Sequence, residues 1–110
     1  MNKTTYLGEL EQMILLAILR LGNDAYGMSI RQELEIRADR EVTRSAAYIT
    51  LERLAKKGYL TSRMGDSSPV RGGRAKRFYE LTPAGREALR TSGRALMSLW
   101  AEQEWLLEDA

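Results

Sequence analysis

"VTRSAAYITLERLAKKGYLTSRM", residues 42–64, contains a helix, the signal that ends it and the first limb of a β-hairpin. Thr43 is a good N-cap after Val42. At about 100° per residue, Ala47, Leu51, Leu54 and Ala55 share one apolar face. Ser45, Ala46, Ile49, Thr50, Arg53, Lys56 and Lys57 point elsewhere, and Tyr48 lies on the boundary. Two terminal lysines followed by Gly58 form the expected helix stop. Ile49 sits in the middle of an otherwise polar face, a position awkward in water and suited to contact with a partner.

Toward the C-terminus, "YLTSRM" (59–64) and "RFYEL" (77–81) read as two short strands joined by the connection from Gly65 to Ala75, which carries Gly, Ser and Pro. Thr82 and Pro83 are the N-cap and first residue of a last helix. It is expected to continue with little interruption to the C-terminus, about 27 residues and roughly 40 Å long. Gly85 and Gly93 weaken this helix without breaking it.

Toward the N-terminus, Leu7, Leu10, Ile14, Ala17 and Leu21 recur at steps of three and four, and Met13, Leu15, Leu16, Ile18 and Leu19 fill the other faces. A helix apolar on nearly every side is expected to be buried nearly all round. Gly22 is its C-cap, and Asn23 or Asp24 can cap a short second helix, Tyr26 to Arg37, with Tyr26, Ile30 and Leu34 on one stripe.

Composition narrows the chemistry. The 110 residues include neither cysteine nor histidine, which removes disulfides, thiolate metal sites and the Ser-His and Cys-His pairs. The N-terminal "MNKTTYLGEL" lacks a secretion-signal pattern, and no apolar run approaches a bilayer span, so a cytoplasmic protein is expected. Neither a metal nor a cofactor is expected. The carboxylates of "EQEWLLEDA" read as solubilising. An enzyme is the least favoured class, since no phosphate-loop pattern occurs.

Net charge is only +2, but its distribution is uneven. Residues 40–77 hold ten cations against Glu41, Glu52 and Asp66, and the rest of the chain is net acidic. Such asymmetry points to a polyanion partner, with the cations gathered on one surface.

Three helices followed by a hairpin form the order of a winged helix-turn-helix, in which the third helix enters a major groove and the hairpin reaches the adjacent backbone. The expected fold class is therefore mostly α with a small β-hairpin (α+β). A winged-helix DNA-binding domain occupies 1–81, and a single long dimerisation helix occupies 82–110. On this reading Ser45, Thr50 and Arg53 are placed to reach base edges, Arg53 reading guanine, and Ile49 to meet a thymine methyl. Lys56 and Lys57 meet phosphate, and Thr43, Arg44 and Ala46 complete the helical contact. Tyr48 is either a core phenol or a phosphate ligand, and packing with the hydroxyl turned to DNA is favoured. In the wing, Gly72 and Gly73 allow close approach, Arg71, Arg74, Lys76 and Arg77 neutralise phosphates, and Phe78 and Tyr79 tie the hairpin to the body.

The chain resembles the PadR family of bacterial transcriptional regulators. The matching residues are Leu7-Gly8-Glu9-Leu10-Glu11, Tyr26-Gly27-Met28-Ser29-Ile30, and Tyr48 with Leu51 through Arg53-Leu54 to Gly58-Tyr59-Leu60. They continue through Gly73-Arg74-Ala75-Lys76-Arg77-Phe78-Tyr79 to Leu81-Thr82 and Gly85, covering about residues 7 to 95. The resemblance implies a homodimeric repressor of the subgroup with a single terminal helix, some of whose relatives release DNA when a small aromatic compound binds. Its expected partners are double-stranded DNA carrying a pseudo-palindromic operator and a second copy of the chain.

The terminal helix keeps an apolar stripe of Leu89, Leu96, Trp100 and Leu107 along its whole length, longer than the body can cover. This stripe, with Leu7, Leu10 and Ile14 of the first helix, is the expected dimer interface. Trp100 is either a packing residue or one half of an indole pair that sandwiches a planar aromatic effector. The rival to operator binding is a winged-helix module that binds protein or structured RNA.

Overall fold

The computed structural model describes residues 6–65 and 75–108. Helix α1 spans Glu9–Leu21, a single 3-10 turn Gly22–Asp24 follows, and α2 (Gly27–Ala38) and α3 (Arg44–Lys56) complete the helical body. Strands β1 (Leu60–Met64) and β2 (Arg77–Leu81) lead into α4 (Pro83–Trp100) and a short α5 (Trp105–Glu108). The strands pair antiparallel, from Leu60 opposite Leu81 to Met64 opposite Arg77.

The boundaries have local causes. Gly22 ends α1 at φ +61°, Gly58 turns the chain after α3 at φ +83°, and the Thr43 and Thr82 hydroxyls cap α3 and α4. Thr82 does more than cap: Oγ1 accepts the Gly85 N–H at 3.0 Å and donates to the Gly58 carbonyl at 2.6 Å, joining the start of α4 to the end of α3. At the start of α2, the Ser29 hydroxyl accepts the Tyr26 N–H at 2.9 Å and donates to the Asp24 carbonyl at 2.6 Å.

One core holds these elements together. Ile14, Leu15 and Ile18 of α1 meet Ile30 and Leu34 of α2, Ala47, Leu51 and Leu54 of α3, the strand residues Leu60 and Leu81, and Leu89 of α4. Ile14, Leu15, Ile30 and Leu54 are fully enclosed. Gly85 has a packing reason: a Cβ there would lie 2.1 Å from the Tyr59 carbonyl oxygen, so only glycine lets α4 press against the chain that leaves α3.

The structure corrects three expectations. First, α1 is not buried all round, because Leu16 and Leu19 remain exposed. Second, α2 begins at Gly27, with the half-buried Tyr26 outside it as N-cap. Third, the terminal helix is not continuous. It stops at Trp100, Glu102 takes a left-handed φ of 70°, and α5 starts anew at Trp105. The last turn of α4 carries no basic residue, and Glu102 and Glu104 follow it, so negative charge collects at the negative end of the helix dipole.

Candidate nucleic-acid interface

Helix α3 is presented by its own inward face. Its Thr43 cap accepts the Ala46 N–H at 3.1 Å, and Ala47, Thr50, Leu51 and Leu54 anchor it in the core. Thr50 is thus a correction: expected at a base edge, it is only 4% exposed, and its hydroxyl donates to the Ala46 carbonyl at 2.8 Å. Its spacing from Ala47 and Leu54 by three and four residues was the available signal. Ala46 is half-buried against the core, whereas Ala55, expected inside, is exposed. The outward surface carries Ser45, Ile49, Arg53 and Lys56 at helical spacing, and Ile49 is 56% exposed. Tyr48 also faces outward, its hydroxyl donating to Glu52 Oε2 at 2.8 Å. That bond, with the Glu52 charge behind it, holds the phenol above its usual range against the opposing pull of Arg77.

The hairpin is fastened at its root by aromatic and cationic contacts. The Tyr26 and Phe78 rings meet edge to face at 5.6 Å between centroids, and the Tyr79 N–H donates to the Ala25 carbonyl at 2.9 Å. The Arg63 guanidinium lies 4.8 Å from the Phe78 centroid, and the Lys76 ammonium 4.2 Å from that of Tyr26. Arg77 donates to Ser62 Oγ across the strands at 3.0 Å. Burial pushes the Tyr79 phenol up, partly offset by Arg77. Phe78 and Tyr79 therefore do tie the hairpin to the body. Arg71, Gly72, Gly73 and Arg74, the expected wing tip, lie outside the described residues.

Between α3 and the hairpin runs an open cleft of about 630 Å³. Arg44, Ser45 and Tyr48 line it from α3, Lys76, Arg77 and Tyr79 from the hairpin, and Tyr26, Gly27, Met28 and Arg31 from the start of α2. Four cations face one concave surface that three tyrosines also line, a combination suited to a phosphodiester strand. The contribution of α2 was missed from the sequence. Arg31 also donates through Nε to the Val42 carbonyl at 2.9 Å, which holds the α2–α3 turn beside the cleft. Arg31 lies off the Ile30–Leu34 stripe like the other polar residues of α2, and no local pattern distinguishes it from Gln32 or Glu35.

The mid-sequence cations do not all gather here. Arg40 pairs with Glu9 at 2.7 Å, and Lys57 reaches Glu11 at 3.0 Å, with Arg53 a further 3.9 Å neighbour of the same carboxylate. Each has its acidic neighbour in the first turn of α1, and none of the three lines the cleft.

The expected dimer residues divide similarly. Leu7, Ile14 and Leu89 are covered by their own chain and belong to its core, a correction whose cause is the packing of α4 across α1. Leu10 and Trp100 are half-buried, while Leu96 and Leu107 are exposed. No described helix is long and apolar enough to cross a membrane.

A basic third helix beside a tethered two-stranded hairpin, carried on a helical body, defines a winged helix-turn-helix protein. Comparison with known sequences gives the family: residues 15–91 match the model of the transcriptional regulator PadR-like family, and the chain belongs to it. It is similar to the transcriptional regulator Rv3488 of Mycobacterium tuberculosis, 41% identical over 80 residues, covering 73% of this chain and 70% of that protein. The fold is similar to a PadR family transcription regulator of Clostridium difficile (22% identity, TM-score 0.73, 91% of this chain and 99% of that one). It is also similar to Bacillus subtilis PadR, solved in complex with operator DNA (24% identity, TM-score 0.61, 76% of this chain and 47% of that one). The family is one of transcriptional regulators, not enzymes.

Proposed function

We propose that this transcriptional regulator is a cytoplasmic, homodimeric, sequence-specific DNA-binding repressor. The observation that carries the reading is the cleft that sets Arg44, Ser45 and Tyr48 of α3 opposite Lys76 and Arg77 of the hairpin. A phosphodiester strand seated in it places Ser45 and Ile49 toward base edges in the major groove, with Lys56 beside the backbone. Arg71 and Arg74 add further phosphate contacts. The operator-bound state of Bacillus subtilis PadR supports the same partner.

Dimerisation is supported by apolar side chains that the chain leaves uncovered: Leu96, Met97 and Leu99 of α4, and Trp105, Leu106 and Leu107 of α5. Two copies joined along this segment present two α3 helices to a pseudo-palindrome with half-sites about one turn apart. A small planar aromatic compound that stacks on Trp100 at the seam relieves repression.

Selection of bound duplexes from a random pool by the purified chain tests the reading, with enrichment of a two-fold symmetric sequence as the expected result. No preference for any duplex at physiological salt would sink it in favour of a protein or structured-RNA partner. Replacing Lys76 and Arg77 together by glutamine lowers the salt slope of binding by about two. Relief by an aromatic effector predicts quenching of Trp100 fluorescence in a Trp105→Phe background.

A further inference from the structure

Glu11 stands apart from the other acidic residues of α1. It lies in the first helical turn yet is only 7% exposed. Its Oε1 accepts the Gly8 N–H at 2.9 Å, and its Oε2 accepts Lys57 Nζ at 3.0 Å and lies 3.9 Å from Arg53 Nη1. Both cations belong to the last turn of α3 or its cap, on the helix that enters DNA in the proposed function. The donor Gly8 is fixed in turn by its neighbour Leu7, whose N–H donates to the buried Ser92 hydroxyl of α4 at 2.9 Å. Burial pushes the Glu11 carboxyl up, but the Gly8 N–H, Lys57 and Arg53 together outweigh it and leave the group below its usual range.

We propose that Glu11 is a positioning residue for DNA recognition: by holding Lys57, and more loosely Arg53, against α1, it withholds charge from the phosphate backbone and restricts contact to the cleft side of α3. The inference rests on the DNA-binding reading.

The effect is electrostatic. A cation that displaces a condensed counterion from DNA contributes to the salt dependence of binding, and a cation already neutralised inside the protein does not. Phosphate contacts carry no sequence information, so extra free cations at the end of α3 strengthen binding to every duplex alike and erode the margin between operator and random DNA. A partly buried carboxylate is suited to the task, since screening by salt weakens it less than an exposed partner such as Glu9, whose side chain is 78% exposed.

The full-length protein, the duplex selected from the random pool and a random duplex of equal length suffice for the test. Glu11→Gln keeps the shape and the acceptor for Gly8 but removes the charge. It is expected to steepen the salt slope on random duplex by about one, and to lower the ratio of selected to random affinity. Lys57→Met in the parent background is expected to leave the slope unchanged, and in the Glu11→Gln background to restore the parent slope. An unchanged slope and ratio in folded Glu11→Gln overturns the inference. So does a slope reduced by about one in the single Lys57→Met variant, which would put that lysine on phosphate already. Should Glu11→Gln fail to fold, the single Lys57→Met result decides alone. A parent protein with no salt-dependent duplex binding overturns the DNA reading itself, a result distinguishable from the others before any variant is made.

Discussion

Helix α1 and the end of α4 carry the same kind of apolar periodicity and meet opposite fates. In α1, Ile14, Leu15 and Ile18 are enclosed by α2, α3 and α4. Beyond Ser92, α4 leaves the body, and Leu96, Met97 and Leu99 face outward. An amphipathic stripe therefore specifies that a face needs cover, not which surface supplies it. In α1 the cover is the chain itself. In the proposed dimer, the cover for the end of α4 is a second copy.

The strongest way to break this contrast is to truncate one residue on each side. Ile14→Ala should cost about 2–5 kcal/mol of folding stability in denaturant titration. Equal losses for Ile14→Ala and Leu99→Ala in dilute protein would mean that the core is completed only by the second copy. Gly85→Ala, at the point where α4 still presses on the body, should cost about 1–3 kcal/mol, because the new methyl must displace the Tyr59 carbonyl. A neutral result would place the start of α4 with the uncovered segment.

Smaller changes sharpen the comparison. Thr43→Ala removes the cap of α3 and should cost about 1 kcal/mol. The same measurement on Leu99→Ala should give less than about 0.5 kcal/mol, while sedimentation shifts toward the single subunit. The weakest effect is expected in acid. Glu11 is held below its usual range, so its stabilisation is present above the ordinary glutamate pKa and is lost as pH falls through the lowered, folded value. The melting temperatures of the parent and Glu11→Gln should accordingly converge as the solution is acidified through that range.

Much of the fold was legible because its punctuation is local. Thr43, Thr82-Pro83, Gly22 and Gly58 mark helix ends through bonds to residues three or four positions away, and the strands at 60–64 and 77–81 follow from composition and turns. Reading Thr50 as outward let residue polarity override spacing. The uninterrupted terminal helix followed from an apolar stripe, with too little weight given to the glutamates after Trp100.

The site was legible only as a charge surplus beside a hairpin. Lys76 and Arg77 do face α3 across the cleft, but no local pattern marks Arg31, which joins them from α2. Nor was it visible that Lys57 is claimed by a carboxylate 46 positions earlier.

By itself the sequence determined the order of elements, their caps and the excess of positive charge in mid-chain, since each depends on composition or on neighbours within about one helical turn. Only the tertiary structure decided which cations are free, why position 85 must be glycine and which apolar stripe stays uncovered. Those outcomes depend on surfaces brought together from distant parts of the chain, where a hydrogen bond or a clash is settled by ångströms that no local pattern encodes.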